Sequence, residues 1–345
     1  MAGGPGGGGA PAAHGVLVLR QPLDLSATLG PLRRGGGDPA VRREGAGPWA
    51  AWWWATRTAH GTALVRLRHL PPGVLGGGPH GVVEAAAWGE GAACAVDGAA
   101  ELLGEDQDAS AFVPRPEHAV LVSAWRRHRG VRVPRTRAVF EALAGAAVEQ
   151  VVTGVEAHRA WRDLLRRFGE PAPGGLHDAG PGGPSAPGGP AEGMRVPPSA
   201  RDWAGIPSWE WLRAGVEERR RRVVLHAARC APALERTVHL PPERVEPALR
   251  TLPGVGVWTA AEVRHRAHGD PDAFSFADYH VAKNVSYALT GQVLDDAGCA
   301  EVIECYRGHR YRVQRLLELD GIARPRRAAR MTLPSHVPVA TGMRS

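Results

Sequence analysis

The stretch that decides the fold is Leu252-Pro253-Gly254-Val255-Gly256-Val257-Trp258-Thr259-Ala260, and an acidic residue, Asp278, follows it. We predict a short helix over 242–250, a tight turn over 252–256 and a second helix over 257–266. Glycine allows a positive φ and a close approach of another backbone. The N–H groups at the start of the second helix, together with the helix dipole, form a site that attracts phosphate. Such a site reads the backbone of a nucleic acid and not its bases.

The composition is that of a globular protein with more than one domain: 345 residues, 43% hydrophobic and 22% charged. The formal net charge of +7 and the sequence pI of about 9.9 favour an acidic partner such as nucleic acid, although a generally basic, arginine-rich proteome explains them equally well. The four cysteines lack the spacing of a zinc or iron–sulfur site, so we expect reduced thiols. We find no signal peptide and no apolar run of about 18 residues, and we predict a cytoplasmic protein without a membrane span.

The first third of the chain predicts a small α+β domain. Residues 1–13 are a Gly/Ala/Pro tail for which we predict disorder. Residues 14–108 form the α+β N-terminal domain, with strands predicted at 16–19, 62–68 and 82–88. Trp49 and the run 52–54 lie between the first two strands. They either form a stacking surface or, as we prefer, fill a hydrophobic core.

The rest of the chain predicts mainly helices over 109–325. A Gly/Pro-rich insertion at 171–200 has the composition of a segment without regular structure. The run of four arginines at 219–222 is more typical of a solvated helix face than of a specific DNA contact. An irregular basic tail follows at 326–345.

The pattern L-P-G-V-G-x-W-T-A, followed after about twenty residues by an aspartate within D-Y-x-x-x-K, resembles the helix-hairpin-helix-GPD superfamily of base-excision DNA glycosylases. The resemblance covers about residues 110–320 and is closest to the 3-methyladenine DNA glycosylase II (alkylpurine) branch. It implies helical glycosylase domains after a TATA-binding-protein-like sheet. It also implies a DNA repair hydrolase that acts as a monomer on double-stranded DNA with alkylated bases, near the nucleoid, and requires no cofactor.

The resemblance makes Asp278 the catalytic carboxylate. An N-alkylated purine is a cationic leaving group, and its departure leaves an oxocarbenium-like sugar that a carboxylate stabilises. The alternative is that Asp278 only caps the helix after it. Asp270 and Asp272 are competing acids, although they lie in turn-forming sequence. Members that cleave the strand carry a Schiff-base lysine where this chain has Trp258, and the sole lysine is Lys283, so the resemblance implies a glycosylase without lyase activity.

The base pocket is predicted to use Trp258 and Tyr279 as stacking surfaces for a cationic base, unless Trp258 only seals the hairpin. Glu262 stands where an aromatic residue is expected, which leaves the substrate range open. The resemblance makes Gln150 and Val151 the wedge that fills the gap left by the flipped base. A position inside a helix is an almost equal alternative for both.

The remaining site residues rest on the hairpin and on the last helix pair. The DNA backbone is predicted to contact the hairpin residues Leu252, Gly254, Val255, Gly256 and Thr259. The resemblance also implies that Arg310 supports the catalytic aspartate. It further implies a monovalent cation bound by the main-chain oxygens of Arg250, Leu252 and Val255. Two other functions stay open: a DNA-binding protein without catalytic activity, and a glycosylase of the same fold for another damaged base.

Overall fold

A five-stranded antiparallel sheet forms the N-terminal part of the protein, whose computed structural model describes residues 9–175, 180 and 182–324. The strand order is β1-β5-β4-β3-β2. The strands of the sheet are β1 Ala13–Val18, β2 Val41–Glu44, β3 Ala51–Thr58, β4 Gly61–Leu70 and β5 Val82–Trp88. The three predicted strands correspond to β1, β4 and β5. The sheet confirms the α+β class of the N-terminal region, and its likeness to the TATA-binding protein stays a prediction.

Both faces of this sheet are covered, which explains why β3 lacks the alternation that marks a half-exposed strand. Trp52 packs in the larger core, among the helices, while Trp53 points to the other face and belongs to a separate apolar cluster. Trp54 is half-buried, and Trp49 is 49% exposed. The preference for core positions therefore holds for the run 52–54 and fails for Trp49.

The Gly/Pro-rich insertion covers the second face of the sheet. It opens and closes with a two-residue ladder between β6 Glu170–Pro171 and β7 Arg195–Val196. Its small apolar residues pack against the sheet with Trp53 and Trp88, and they are Ala172, Ala191, Met194 and Val196. Apart from this short ladder, the described part up to residue 199 has no helix or strand, as its composition predicts, but the expectation did not include its packing on the sheet. Turns built from Gly and Pro allow short apolar side chains to reach the sheet without a helix or a long strand.

The helices before the hairpin are α1 Leu25–Leu29, α2 Ala92–Asp97, α3 Ala99–Leu102, α4 Ala119–Arg127, α5 Val139–Glu149, α6 Gly154–Phe168, α7 Ala200–Gly205, α8 Ser208–Arg213, α9 Glu218–Arg229 and α10 Ala231–Glu235. The hairpin and the helices after it are α11 Pro242–Leu249, α12 Val257–Val263, α13 Val281–Thr290, α14 Asp296–Ile303 and α15 Arg310–Leu319. The second hairpin helix is shorter than predicted, because its last predicted residues continue as a π-helical turn over Arg264–His268.

Two hydrophobic cores divide the helices into two lobes. The first core joins the sheet to the helices from α5 to α12, and we call this part the hairpin lobe. The second core joins Phe112 and α4 to Phe274 and the helices α13–α15, and we call this part the aspartate lobe. The chain passes from the first lobe to the second between Ala267 and Phe274. Asp278 lies just after this crossing.

Parts of three sequence predictions lie outside the described residues. These are most of the tail at 1–13, five positions of the insertion and the tail at 326–345. The limits of the predicted domains stay predictions. Within the described residues, no helix is long and apolar enough to cross a membrane.

Candidate functional site

The hairpin turn depends on two glycines in different ways. Gly254 has φ +86°, and a Cβ on it would lie 2.5 Å from Cγ2 of Val223 on α9. This position therefore requires glycine for both its conformation and its packing. Gly256 has φ −91°, and a Cβ built on it meets nothing within 4 Å. The lack of a side chain at Gly256 leaves open space at the start of α12, where another molecule can approach the backbone.

The sequence predicts a phosphate site at the first backbone amides of α12. The first helical bond of α12 runs from the Ala260 amide to the Gly256 carbonyl, at 3.0 Å. The N–H groups just before Ala260 therefore have no carbonyl acceptor within the helix. The side chains contribute less than predicted, since Val255 and Thr259 are 6% and 2% exposed. The hydroxyl of Thr259 accepts a hydrogen bond from Gln150, so the hairpin would contact DNA through its main chain.

The predicted wedge lies beside the hairpin. Nε2 of Gln150 donates to the Gly254 carbonyl at 2.9 Å and to Oγ1 of Thr259 at 2.8 Å. Val151 follows α5 directly, is 88% exposed and has φ +54°. A β-branched residue is seldom found in this left-handed region, because its side chain clashes with the backbone there. The structure thus excludes the helix-interior alternative and presents an exposed apolar side chain next to the hairpin.

Asp278 bonds to the start of α13 through one carboxylate oxygen, from two positions before the N-cap residue His280. Its Oδ1 accepts the amides of His280 and Val281 at 2.7 and 3.0 Å. The capping alternative therefore holds only in part, since Asp278 bonds to the helix start without being its N-cap residue, and these bonds are compatible with catalysis, because they occupy only Oδ1. Among the described residues, no Arg, Lys or His lies within ion-pair distance of this carboxylate. Ala277, just before it, has φ +63°, a strained conformation for a residue other than glycine.

The two competing acids are engaged by arginines. Oδ2 of Asp270 accepts Nε and Nη2 of Arg264 at 2.9 and 2.6 Å. Asp272 binds the guanidinium of Arg310 and accepts the Gly308 amide at 2.8 Å. Although burial raises the pKa of Asp272, these hydrogen bonds and the charge of Arg310 keep it below its usual value. Arg310 therefore pairs with Asp272 and not with Asp278, contrary to the expected supporting role.

A buried polar network connects the hairpin to the loop that carries Asp278. Glu262, on α12, forms an ion pair with Arg266, and its Oε1 accepts the Ser275 hydroxyl at 2.7 Å. Gln314, on α15, accepts the Ser275 amide at 3.0 Å. Burial raises the pKa of Glu262, but the charge of Arg266 outweighs it and keeps the carboxyl ionised. Glu262 therefore has a structural role in place of the expected aromatic pocket wall.

His265 strengthens the same junction. Its ring stacks on Tyr311 of α15, with the centroids 4.2 Å apart and the planes inclined by 10°. Burial and the charge of Arg266 lower the pKa of His265 to about 4, so the ring is neutral near pH 7. The stacked rings of His265 and Tyr311 thus add a second contact between the two lobes.

The two aromatic candidates for the base pocket differ in exposure. Trp258 is half-buried on the first turn of α12, four residues before Glu262 and on the same helix face. Tyr279 is 71% exposed, and Nζ of Lys283 lies 4.3 Å from its ring centroid. One face of Tyr279 is therefore covered by a cation, which disfavours the stacking of a cationic base on that face. Trp258 remains the better stacking surface.

No protein-family model matches the chain, and no curated protein sequence matches it either. Solved structures do. The 3-methyladenine DNA glycosylase from Archaeoglobus fulgidus is similar over 89% of this chain and 98% of its own, with 15% identity and a TM-score of 0.66. MBOgg1 in complex with a low-affinity DNA ligand is similar over 89% and 94%, with 13% identity and a TM-score of 0.62. The 8-oxoguanine glycosylase/lyase of Clostridium acetobutylicum, bound to double-stranded DNA, is similar over 88% and 94%, with 11% identity and a TM-score of 0.61.

These likenesses extend over nearly the whole of each neighbour, so they include the N-terminal sheet and both helical lobes. The chain shares the fold of these three DNA glycosylases, and a glycosylase fold is what the hairpin motif predicted. At 11–15% identity the neighbours do not decide which base such a protein would remove, and they include both alkylpurine and oxidised-purine enzymes.

Proposed function

We propose that this protein is a DNA glycosylase that hydrolyses the N-glycosidic bond of alkylated purines, such as 3-methyladenine, in double-stranded DNA and leaves the strand intact. The observation that carries the proposal is the state of Asp278. This carboxylate is fixed by two backbone amides through one oxygen, and no described cation pairs with the other. A fixed carboxylate of this kind, on a fold with a phosphate-binding hairpin, suits the stabilisation of a cationic sugar.

Each part of the site has a task in this reaction. The amides at the start of α12 hold a DNA phosphate, and Val151 enters the gap that the flipped nucleotide leaves in the duplex. The base stacks against Trp258. When the C1′–N bond breaks, both bonding electrons leave with the cationic base, which becomes neutral, and the sugar becomes an oxocarbenium-like cation. Asp278 stabilises that cation and orients a water, whose oxygen bonds to C1′ while its proton passes to the carboxylate and then to solvent.

The preference for alkylated purines follows from the chemistry that a single carboxylate supports. A cationic base leaves without prior protonation, so no general acid is needed. A neutral oxidised purine is a poorer leaving group and benefits from an acid or an amine nucleophile. The half-buried indole of Trp258 favours a cationic base for the same reason that aromatic faces attract cations. The fold likeness to a 3-methyladenine DNA glycosylase supports this preference.

A second candidate is a glycosylase with lyase activity on an oxidised base. One observation favours it: the sole lysine, Lys283, lies on the first turn of α13 and places its amine against Tyr279, the residue after Asp278. An amine beside the residue that follows the carboxylate could attack C1′ in place of water. Two of the structures with a similar fold are 8-oxoguanine enzymes, one of them in apo form and one bound to DNA.

The proposal includes a structural cation at the hairpin and no required cofactor. The carbonyls of Arg250, Leu252 and Val255 are neutral oxygen donors of the kind that hard cations accept. The Leu252 carbonyl already accepts the Val255 amide at 3.1 Å, and its second lone pair is available. Among the described residues, no group of three acidic, histidine or cysteine side chains could hold a metal ion. Equal DNA affinity in potassium and in tetramethylammonium chloride at one ionic strength would contradict the cation site.

The test is release of free 3-methyladenine and 7-methylguanine from methylated duplex DNA by wild type, Asp278→Asn and Asp278→Ala. The Oδ1 of asparagine can accept the same two amides as that of aspartate, so Asp278→Asn should keep the stability and the DNA affinity of the wild type. It should nevertheless lose about 100-fold or more in the single-turnover rate, the usual cost of removing one preorganised electrostatic group. Asp278→Ala should lose the rate and also about 1 kcal/mol of stability.

Asp295 provides the matched control, since its Oδ1 caps α14 in the same lobe by accepting the Gly298 amide at 2.9 Å. Asp295→Asn should leave the rate unchanged. If Asp278→Asn releases base as fast as this control, the catalytic role is wrong. If the wild type binds damaged duplex tightly and releases no base of any kind, the protein is a DNA-binding protein without catalytic activity. We further propose that the enzyme acts as a monomer, which the mass of the protein–DNA complex in solution tests. We also propose that it acts in the cytoplasm at the nucleoid.

A further inference from the structure

Arg220 differs from the other arginines of the run 219–222. It is 5% exposed, whereas its neighbours Arg219 and Arg222 lie on the surface. Arg221 and Arg222 both bind Glu218 within the same helix, as solvated helix arginines commonly do. The sequence expectation of a solvated face therefore holds for these neighbours and fails for Arg220.

The guanidinium of Arg220 joins two main-chain segments. Its Nη1 donates to the Val148 carbonyl at 2.8 Å, and its Nη2 donates to the Gly215 carbonyl at 2.7 Å. Among the described residues, no carboxylate lies within ion-pair distance of it. A buried arginine without an acidic partner is costly. Its charge is instead balanced by carbonyl dipoles, and Val148 lies in the last turn of α5, at the negative end of the helix dipole.

These contacts surround the turn that carries Val151. Val148 precedes it by three residues, and its carbonyl is one of the last four of α5, which have no partner within the helix. On the other side of the turn, Thr153 and Glu156 form the capping box that starts α6. The charge of Arg220 helps keep the pKa of Glu156 low, after the larger effect of the Thr153 hydroxyl. Arg220 therefore donates a hydrogen bond to the Val148 carbonyl before the turn, and its charge attracts the Glu156 carboxylate after the turn.

The turn needs such support, because Val151 is strained. A β-branched residue at φ +54° persists only where the surroundings fix the backbone. Val151 is 88% exposed, so packing of its own side chain cannot fix it. Gln150 fixes the turn from the hairpin side, and Arg220 is the buried group that fixes it from the α9 side.

We propose that Arg220 is a positioning residue that holds the 150–152 turn with Val151 directed outward, so that base extrusion depends on it although it does not touch DNA. The proposal rests on the wedge role of Val151 in the proposed function. It makes the ability to open an intact duplex depend on a buried side chain on α9.

The experiment compares wild type, Arg220→Gln and Arg220→Lys on two substrates. One is an intact duplex with a single methylated purine beside the fluorescent base 2-aminopurine. The other carries the same purine in a single-stranded loop, which needs no wedge. For Arg220→Gln we expect a rate on the duplex lower by about tenfold, because the Val148 carbonyl at the start of the turn loses its donor and its link to the Gly215 segment, so the turn spends most of its time in other conformations. The rate on the loop should change by less than about twofold, since no duplex has to be opened there. The rate of Arg220→Lys on the duplex should lie between those of the wild type and Arg220→Gln, because lysine can reach one carbonyl but cannot bridge both.

Arg312 is the matched control. It is also buried, on α15 in the aspartate lobe, and Nη1 donates to the Val131 carbonyl at 3.2 Å. Arg312→Gln should lower the melting temperature at least as much as Arg220→Gln and leave the ratio of duplex to loop rates unchanged. An equal ratio for the two variants would overturn the positioning role and show that Arg220 serves stability alone.

The fluorescence of 2-aminopurine on binding separates this inference from the proposed function. If the wild type unstacks the base and releases nothing, the proposed function fails, while a weaker signal from Arg220→Gln would still support the positioning role. If the wild type releases base and Arg220→Gln gives a full fluorescence signal, the function stands and the inference fails.

Discussion

Replacement of Val151 by glycine should separate stability from function. Val151 has φ +54°, which costs an L-residue about 1–2 kcal/mol relative to right-handed backbone and costs glycine little. The substitution removes this strain. It also removes the one exposed apolar side chain of the turn, which the proposed function assigns to the gap in the duplex.

The magnitude follows from three contributions. Relief of strain stabilises by about 1–2 kcal/mol, while the greater freedom of glycine in the unfolded chain costs roughly 0.5–1 kcal/mol. Because the side chain is 88% exposed, the buried area lost is worth only about 0.3 kcal/mol. The net change lies between about −0.3 and +1.2 kcal/mol, which corresponds to a change in melting temperature of roughly −1 to +4 °C, centred on a small rise.

The assay combines thermal unfolding with single-turnover base release from intact duplex. We expect Val151→Gly to melt no more than about 1 °C below the wild type and to release base at least about tenfold more slowly, since unstacking a base costs a few kcal/mol that the wedge offsets. Leu75 is the matched control, with φ +51° and 59% exposure in a loop of the N-terminal region. Leu75→Gly should show the same small change in stability and full activity.

Either half of this prediction can fail by itself. A loss of more than about 1 kcal/mol in Val151→Gly, against the sum of the three contributions, would show that the left-handed conformation is not strained. Full activity of Val151→Gly on intact duplex would show that Val151 does not fill the gap.

Three further predictions concern the hairpin, the sheet-to-helix core and the sole lysine. Gly256→Ala should be as stable as the wild type, because the added Cβ meets nothing within 4 Å, and its DNA affinity, measured by anisotropy, should fall about tenfold with a smaller salt dependence. Gly254→Ala should instead be destabilised by about 2 kcal/mol or more through strain and overlap with α9. An equal loss of stability in both variants would contradict the phosphate site. Burial raises the pKa of Glu141 from 4.5 to about 7, so between these pH values the folded state holds a proton that the unfolded state has lost, and the free energy of unfolding falls as pH rises from about 4.5 to 7. Glu141→Gln should remove that dependence and be up to about 3 kcal/mol more stable than the wild type at pH 8 in urea titrations. Parallel plots of unfolding free energy against pH for the two proteins would contradict this prediction. Borohydride should not trap the enzyme on DNA, and a trapped complex that Lys283→Arg abolishes would establish the lyase alternative.

The sequence predicted those parts of the structure whose signal is local. The hairpin is one, because Gly254 and the small residues of α12 act within a few positions of each other. The strand at Val82–Trp88 is another, and it has the predicted limits. In contrast, β3 was missed, since a strand buried on both faces lacks the alternation that marks a strand. The packing of the insertion was missed because its composition predicts turns and does not show that Met194 and its neighbours cover a sheet.

The site was predicted as a set of residues but not as a set of contacts. The choice of arginine partner among three nearby acids depends on turn geometry, and Arg310 selected Asp272. The burial of Arg220 could not be read from a run of four arginines, because helix rotation relative to α5 decides which one points inward. The conformation of Val151 opposes local preference, so tertiary contacts alone create it. From the sequence, Glu262 only differs from the expected aromatic residue. Its hydrogen bond with the Ser275 hydroxyl explains why a carboxylate occupies this position.

Under the proposed function, the contacts also explain how one site would both bind DNA and open it. Gln150 donates to the hairpin turn at Gly254, and Arg220 holds the other side of the same short segment. The predicted wedge and the predicted phosphate site are therefore hydrogen-bonded to each other within the hairpin lobe. Asp278 belongs to the other lobe, where Ala277 stores strain of its own at φ +63° while its amide donates to Asp296 at 2.8 Å. Val151 and Ala277, the two strained residues, lie on different lobes. Under the proposed function they flank the flipped nucleotide, so the distance between wedge and carboxylate depends on the buried network of Glu262, Ser275 and Gln314 at the lobe junction.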